Sequence, residues 1–183
     1  MIPRLVLVSG WPWSGKTSLR KYLKEFGFEG VSHDDIILEL WGLTFSELEK
    51  IPDYREKFRE ARKIAHERQL HHLSEGHDVT REETFHLYDQ RKRGLDTADM
   101  SAEKYIILLR VDEEEIMRRV IAQGKQPYSF DYWRQSTQWP EPGHSADLGC
   151  EVLVYQNNTP EETLAMYADV RRRFERSKLT TSK

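Results

Sequence analysis

The sequence predicts an α/β fold built around a mostly parallel β-sheet. Segments of strand length that are rich in apolar residues alternate with longer segments whose apolar residues recur at helical spacing. The clearest strand is Lys104–Val111, and Leu5–Val8 is a second apolar strand that leads into Gly10. Because strands that alternate with helices are typical of βαβ units, we expect the strands to lie parallel in one sheet.

The first half of the chain supplies two further strands and two helices. The apolar spacing of Lys16–Phe26 predicts a helix, and Gly30–Ser32 predicts a short strand after it. A long charged helix is expected over Asp53–Glu75, with Gly76 as its stop signal. The segment His77–Glu82 stands where the next strand belongs, and we predict a strand there although the segment is almost wholly polar.

The second half of the chain adds two helices and one strand. Asp112 begins a helix that ends near Gly124, and Glu151–Tyr155 predicts the last strand. Thr159, followed by a proline and two acidic residues, is a strong helix start because the threonine can cap the helix and proline suits its first position. We expect this C-terminal helix to cover about residues 160–176.

Length and composition fit one domain over residues 1–183, with a frayed tail at 177–183. The chain has 28 Lys and Arg against 31 Asp and Glu, so its net charge of −3 is unlike that of proteins that bind nucleic acid by bulk positive charge. Cys150 is the single cysteine, which excludes an internal disulfide framework and favours a reducing, cytoplasmic location. We expect no membrane span, because no apolar run approaches about 20 residues.

Residues 10–17 match the phosphate-binding pattern G-x-x-x-x-G-K-[S/T] at every fixed position, between a predicted strand and a predicted helix. Glycines let the backbone aim its N–H groups at phosphate oxygens, and a helix N-terminus favours an anion. The lysine is a point charge for the β- and γ-phosphates, and the hydroxyl is a ligand that Mg²⁺ prefers. We therefore expect a nucleotide site formed by Gly10, Trp13, Ser14, Gly15, Lys16, Thr17 and Ser18.

Two features distinguish this loop from a permissive glycine-rich turn. Pro12 has no N–H to donate to phosphate. Trp11 and Trp13 are bulky, and they either pack the back of the loop or line the cleft for an acceptor substrate. The residues alone leave both interpretations open.

A pair of carboxylates follows the second predicted strand in the run Ser32–Asp35. Ligands of parallel α/β sheets bind at the carboxyl ends of the strands, so this run should lie beside the phosphate-binding loop. A carboxylate there can orient an attacking hydroxyl or accept its proton, and we assign that role to Asp34. Asp35 either caps the helix that we expect to start at Ile36 or lies on the substrate side.

The run GWPWSGKTS followed by SHDD resembles the small P-loop kinases related to polynucleotide 5′-kinases and zeta toxins. Three further segments extend the resemblance over most of residues 4–158: an acid-threonine pair with an arginine beyond it, a helix with a lid, and a proline-rich turn before the last strand. They are Glu83–Thr84 with Arg91, Glu113–Gly124, and Trp139–Pro142. The resemblance implies a three-layer α/β P-loop kinase domain with about five parallel strands and a lid at about residues 118–130.

The resemblance also implies roles for individual residues. Lys16 and Thr17 would hold the nucleotide triphosphate and Mg²⁺, and Asp34 would act as the general base. Glu83 stands where the family usually has aspartate and would hold the metal through water. Arg119 matches a lid arginine that neutralises charge on the transferring phosphate, whereas Gln123 replaces the second lid arginine.

The expected reaction is transfer of the γ-phosphoryl group of ATP, or alternatively GTP, to a hydroxyl. By resemblance the acceptor is a nucleic-acid or nucleotide hydroxyl, and Arg91 would contact its phosphate. The acidic net charge instead favours a small metabolite or antibiotic. A nucleotide-binding module without turnover is the third hypothesis, supported by altered positions such as Trp13 and Gln123.

Five histidines, at positions 66, 71, 72, 77 and 86, lie in or near the long predicted helix and the strand after it. Metal ligands on one helix prefer a spacing of four residues, whereas His66 and His71 are five apart. We therefore expect surface or capping histidines rather than a structural zinc site.

Overall fold

A computed structural model describes residues 1–125, 130–139 and 144–176 of the chain. The strands are β1 (Arg4–Gly10), β2 (Glu29–Ser32), β3 (Val79–Glu82), β4 (Glu103–Arg110) and β5 (Glu151–Gln156). The helices are α1 (Lys16–Lys24), α2 (His33–Trp41), α3 (Phe45–Leu48), α4 (Tyr54–Ser74), α5 (Tyr88–Gly94), α6 (Glu113–Ala122), α7 (Asp131–Ser136), α8 (His144–Leu148) and α9 (Pro160–Phe174). The predicted tail at 177–183, residues 126–129 of the predicted lid, and residues 140–142 of the predicted proline-rich turn lie outside the described residues.

The five strands form one parallel sheet in the order β2-β3-β1-β4-β5. The central strand β1 pairs with β4 from Arg4 opposite Glu103 to Gly10 opposite Leu109, and with β3 on its other side. The α/β class and the five-stranded parallel sheet are therefore confirmed. All five strands end at the same edge of the sheet, because they run in one direction.

Two cores cover the two faces of the sheet. Alternate residues of a strand point to opposite faces, so Leu5 and Leu7 of β1 enter one core and Val6 and Val8 enter the other. The first core contains buried residues of α2, α3 and α4, and the second contains those of α1 and α9. The molecule thus has the three layers that the family resemblance implies.

The polar strand β3 lies inside the sheet, between β2 and β1, and all four of its residues are buried. Its charged side chains have partners that offset the cost of burial. Arg81 donates to Gln69 Oε1 at 3.2 Å and lies 3.6 Å from Glu83, and Glu82 accepts from Arg20. The strand predicted within His77–Glu82 is confirmed as Val79–Glu82. It is polar because charged residues such as Arg81 and Glu82 pair with side chains of the neighbouring helices.

Helix α2 begins three residues earlier than the sequence indicates. Its N-cap is Ser32, whose Oγ accepts from the backbone N–H of Asp35 at 3.4 Å. The expectation that Asp35 caps a helix starting at Ile36 is therefore wrong, because serine occupies the cap position and both aspartates lie in the first turn. Within the described residues, no helix is both long and apolar enough to cross a membrane.

Candidate functional site

The candidate site lies at the carboxyl edge of the sheet, where the segments after β1, β2 and β3 meet. The loop over residues 10–15 joins β1 to α1, α2 follows β2 directly, and Glu82 is the last residue of β3. This is the edge at which parallel α/β sheets bind ligands. The loop, the start of α2 and Glu82 are therefore each attached directly to a buried strand.

The loop over residues 10–15 is curled tightly, and glycine is required at two points. Gly10 has φ 149°, and a Cβ there would lie 2.6 Å from Ser14 Oγ and 2.7 Å from the Leu109 carbonyl oxygen. Gly15 has φ 98°, and a Cβ there would lie 2.6 Å from Asn157 Nδ2. Such a loop brings backbone N–H groups close to a bound anion.

The amine of Lys16 lies inside this loop, where Nζ donates to the Trp11 carbonyl oxygen at 2.8 Å. Burial lowers the pKa of Lys16 to about 8, and the negative charges of Glu82 and Asp34 oppose that shift. The loop also contains Ser14 Oγ, which is buried and has no hydrogen-bond partner in the described part of the chain. A desolvated ammonium and an unsatisfied hydroxyl fit a phosphate group that would supply the missing acceptors.

Thr17 is joined to Glu82, a residue that sequence reasoning missed. Thr17 Oγ1 donates to Glu82 Oε1 at 2.5 Å, and Arg20 Nε donates to Glu82 Oε2 at 2.8 Å. Arg20 also donates to Asp35 Oδ2 at 2.7 Å. The paired hydroxyl and carboxylate oxygens suit a hard cation such as Mg²⁺. The only sequence signal for Glu82 is its place at the end of the polar strand.

Glu83, the acid predicted to hold the metal, faces other partners. Its Oε1 accepts from Arg62 Nε at 2.7 Å, and Arg81 lies 3.6 Å from its second oxygen. Successive residues of an extended chain point to opposite faces, so Glu82 faces α1 and Glu83 faces α4. The structure brings Glu82, not Glu83, to Thr17. The metal role of Glu83 stays a prediction that these contacts do not support.

Asp34 lies in the first turn of α2 and is solvent-exposed. Although exposed, its carboxyl is desolvated enough by the surrounding protein that its pKa is raised, and Glu82 raises it further against the opposing charges of His33 and Lys16. Within the described residues, the Asp34 side chain has no hydrogen bond or salt bridge. It is therefore a carboxylate near Lys16 and Glu82 that remains available to a ligand.

His33 anchors the start of α2 to α4. It is 5% exposed, its Nε2 donates to the Phe58 carbonyl oxygen at 3.2 Å, and its ring meets the Phe58 ring edge-on at 4.2 Å. Burial lowers the pKa of His33. The buried ring fixes the position from which the next residue, Asp34, reaches solvent.

An open cleft of about 430 Å³ lies along α4 and is lined by Tyr54, Arg55, Phe58 and Arg59. We call it the α4 cleft. Its Phe58 also contacts His33, the residue that precedes Asp34. Its lining is mostly apolar and includes two arginines, both of which are solvent-exposed.

Arg119, the predicted lid arginine, lies on the phosphate-binding loop. Its Nη1 donates to the Trp13 carbonyl oxygen at 3.1 Å, its Nη2 donates to the Asn157 carbonyl oxygen, and its Nε donates to Glu115 at 2.7 Å. Asn157 Nδ2 in turn donates to the Ser14 carbonyl oxygen at 2.8 Å. Two segments distant in sequence thus hold the back of the loop.

The two tryptophans of the loop belong to a third apolar cluster, together with Ile116, Val120 and Phe130. Trp11 lies 5.7 Å from the Phe130 ring and donates Nε1–H to Thr137. Trp13, with φ 65°, packs against the same cluster. Their contacts favour packing of the loop rather than an acceptor cleft. Ser18 is exposed in the first turn of α1.

Arg91, a predicted acceptor contact, is 1% exposed. Its guanidinium donates to the carbonyl oxygens of Phe85 at 2.8 Å and Gln138 at 2.6 Å. It ties the end of the β3 segment to the segment before the proline-rich turn. A contact with an acceptor stays a prediction that these bonds do not support. Asp35, the other predicted substrate residue, is exposed but paired with Arg20.

Comparison with known proteins agrees with this geometry. A family model for the AAA domain (AAA_33) matches residues 5–138, which is more than half of the chain. No curated protein sequence matches significantly. A solved protein assigned as a kinase from Chloroflexus aurantiacus J-10-fl is similar, with a TM-score of 0.68 and 20% identity over 93% of this chain and 95% of that chain.

Two further solved structures share the fold. A sugar kinase from Janibacter sp. HTCC2649 has a TM-score of 0.62 and 16% identity over 94% of this chain and 95% of that chain. Shikimate kinase from Bacteroides thetaiotaomicron has a TM-score of 0.56 and 16% identity over 94% and 99%. The matched family, the strand order and the glycine-lysine loop lead to one conclusion: the chain belongs to the AAA_33 family and has the fold of the small P-loop kinases.

Proposed function

We propose that this protein is an ATP-dependent kinase that transfers the γ-phosphoryl group to a hydroxyl acceptor. The observation that supports the proposal is the juxtaposition of three groups at one edge of the sheet: the loop that contains Lys16, the Thr17–Glu82 oxygen pair, and the carboxylate of Asp34. Phosphoryl transfer needs these three parts, which are a phosphate cradle, ligands for a metal, and a group that orients the nucleophile.

The loop and Lys16 would bind the triphosphate. Backbone N–H groups and the N-terminus of α1 offer positive charge to the phosphate oxygens, and Lys16 would exchange its bond to the Trp11 carbonyl oxygen for them. Thr17 and Glu82 are the residues that would hold Mg²⁺. When bound, this ion would supply positive charge that offsets the negative charge developing on the phosphates. GTP in place of ATP is the alternative donor.

Asp34 would orient the acceptor hydroxyl and take its proton. The hydroxyl oxygen attacks the γ-phosphorus, a new P–O bond forms, and the bond to the β-phosphate oxygen breaks so that the nucleoside diphosphate leaves. The hydroxyl proton passes to the Asp34 carboxylate, which has no other partner in the described part of the chain. A raised pKa makes this carboxylate a better proton acceptor than an ordinary aspartate.

We place the acceptor in the α4 cleft. This open cleft of about 430 Å³ has room for a small molecule, and its two aromatic rings beside two arginines would suit a small metabolite with a hydroxyl group. The sugar kinase and shikimate kinase with the same fold act on compounds of that size class. A second candidate, a nucleic-acid hydroxyl, is supported by Tyr54 and Phe58 lying beside Arg55 and Arg59, since aromatic and basic side chains together bind single strands.

One assay separates these possibilities. Transfer from γ-labelled ATP is measured with Mg²⁺ against sugars, other hydroxylated metabolites, nucleosides and 5′-hydroxyl oligonucleotides, with Lys16→Ala as the blank. We expect a labelled metabolite that the blank does not form. A labelled oligonucleotide would instead support the second candidate. ATP binding without transfer to any compound in the panel would contradict the kinase proposal and favour a nucleotide-binding module.

A further inference from the structure

A cluster of histidines and a glutamate lies at the C-terminus of α4, at the opposite edge of the sheet from the kinase site. His72, Glu75 and His77 each offer one ligand atom, and these three atoms lie within 4.8 Å of one another. Glu75 Oε2 is 3.6 Å from His77 Nδ1 and 3.7 Å from His71 Nε2. The kinase site follows β3, whereas this cluster immediately precedes it.

A glycine turn brings the cluster together. Gly76 has φ 80°, and its N–H donates to the Leu73 carbonyl oxygen at 2.9 Å while the His77 N–H donates to the His72 carbonyl oxygen at 3.0 Å. This pair of bonds is the Schellman motif, which places the second residue after the helix end over the residue five positions before it. An apolar contact usually joins those two positions, but here two imidazole rings stand there, with centroids 6.1 Å apart. Helical spacing does not predict this cluster, because His77 lies beyond the helix.

The surroundings of the cluster favour a cation. The last carbonyl oxygens of α4 give the helix end a partial negative charge. Glu75 adds a full charge at the centre of the group. His72 Nδ1 is buried and, among the described residues, has no hydrogen-bond partner. A buried ring nitrogen without a hydrogen-bond partner costs free energy of folding. A metal bond to this ring would offset that cost.

We propose that His72, Glu75 and His77 form a binding site for a divalent transition metal, most simply Zn²⁺. Two imidazoles and one carboxylate form a donor set that zinc uses and that Mg²⁺ and Ca²⁺ do not prefer. Tetrahedral zinc with bonds of about 2.0 to 2.1 Å brings its ligand atoms to about 3.4 Å from one another. Glu75 and His77 are about half exposed and can make that movement without repacking the core. The ion would tie the end of α4 to the start of β3.

Cobalt is the probe for this site, because Co²⁺ follows zinc in its coordination and has a visible spectrum. Chelator-treated, nucleotide-free protein is titrated with Co²⁺ and then with Zn²⁺. We expect one equivalent of Co²⁺ to give the absorption of a four- or five-coordinate site, and Zn²⁺ to displace it. Saturating Zn²⁺ should raise the melting temperature by about 5 °C, because the ion binds only the folded chain.

Three variants test which residues bind the ion. His77→Gln removes an exposed ligand and should weaken Co²⁺ binding at least about tenfold, and His72→Gln should do the same. The control is His66→Gln, since His66 lies on the same helix but faces Asp96 at 3.6 Å. Circular dichroism checks that each variant is folded, and neither ligand variant should change phosphoryl transfer.

The proposal is overturned if wild-type protein shows no stoichiometric spectrum, or if His77→Gln binds Co²⁺ as tightly as wild type. A site that forms only when nucleotide is present would also overturn it, because the ion would then belong to the kinase site. These readouts need no turnover, so they are independent of whether the kinase proposal holds.

Discussion

Four carboxylates lie together at the carboxyl edge of the sheet, and their neighbours give each a different role. Glu82 and Asp35 share Arg20, and Glu82 also accepts from Thr17. Glu83 pairs with arginines on the α4 side. Asp34 alone among the four has no hydrogen bond or salt bridge within the described residues. A free carboxylate beside a phosphate-binding loop is the one that can receive a proton from a ligand.

Asp34→Asn should therefore lower turnover sharply and spare nucleotide binding at a pH well below the pKa of Lys16, where the amine is charged in both proteins. The amide keeps the shape of the side chain but cannot take a proton, and loss of a general base costs about 10²- to 10⁴-fold in kcat. Steady-state transfer and ATP binding measured on the same preparation check this. Asp35→Asn is the control, because its partner Arg20 keeps a second bond to Glu82, and it should lose far less. Equal kcat values for Asp34→Asn and wild type would remove Asp34 from its role.

The adjacent acids at the end of β3 give a second test. Glu82→Gln should raise the Mg²⁺ concentration needed for half-maximal transfer, because a neutral amide is a poorer ligand for a hard cation. Glu83→Gln should leave that concentration close to wild type, since Glu83 contacts Arg62 instead of Thr17. A Mg²⁺ titration of both variants decides between them. The reverse order of effects would restore the metal role first predicted for Glu83.

At the residue scale, the sequence identifies a functional residue where the spacing of a motif defines it. It does not identify one whose role depends on the direction in which its side chain points. The pattern over residues 10–17 fixes Lys16 and Thr17 in the loop. The choice between Glu82 and Glu83 depends on which face of β3 each residue takes, and two consecutive glutamates carry no signal for that. Arg91 shows the same limit, because basic residues in a run look exposed until the fold buries one.

At the scale of elements, α2 carries the reactive carboxylate and depends on its cap. Ser32→Ala removes the hydroxyl that accepts from the Asp35 N–H, and we expect a loss of about 1 kcal/mol in the free energy of unfolding together with a lower kcat. Urea unfolding and transfer assays measure the two effects. Thr159→Ala removes the equivalent cap of α9, whose hydroxyl accepts from Glu162 at 3.2 Å. It should cost similar stability and leave kcat unchanged.

Helix α4 carries the proposed acceptor cleft on its exposed side. Arg59→Ala should raise the KM for the acceptor roughly tenfold, because a hydrogen bond to a charged group is worth about 1.5 to 3 kcal/mol, and should leave the KM for ATP unchanged. Lys63→Ala, on the same helix with a side chain 77% exposed, is the matched control. If both variants raise the acceptor KM equally, the effect comes from the loss of positive charge on α4 and not from the loss of a contact in the cleft.

The order and type of most elements followed from periodicity, while their contacts did not. The predicted strand at His77–Glu82 illustrates why. Its position between two helices predicted a strand, yet its polar residues gave no reason for burial. The reason lies in partners far away in sequence, such as Gln69 and Arg20, which pair with Arg81 and Glu82.

At the scale of the whole molecule, the site is assembled from both ends of the chain. Asn157, after β5, bonds to the loop after β1, and Arg119 bonds to both. The parallel sheet makes this possible, because it brings the ends of all strands to one edge. The loop is therefore held by packing against α6 and by its bonds to Arg119 and Asn157 as well as by its glycines. The charge of Lys16 depends on acids from β3 and α2.

That dependence predicts how ATP affinity varies with pH. Burial lowers the pKa of Lys16 to about 8, and Glu82 and Asp34 hold it above the value that burial alone would give. Above this pKa the amine of the free protein loses its charge, so ATP binding should weaken as pH rises through about 8, by up to about tenfold per pH unit.

Removing the negative charge of either acid should lower the pKa of Lys16. Glu82→Gln and Asp34→Asn should each move the fall in affinity to lower pH, whereas Glu115→Gln, a carboxylate paired with Arg118 and Arg119, should not. ATP titrations from pH 6 to pH 10, roughly two units either side of the transition, would show this order, and a fall that does not shift in either acid variant would contradict it.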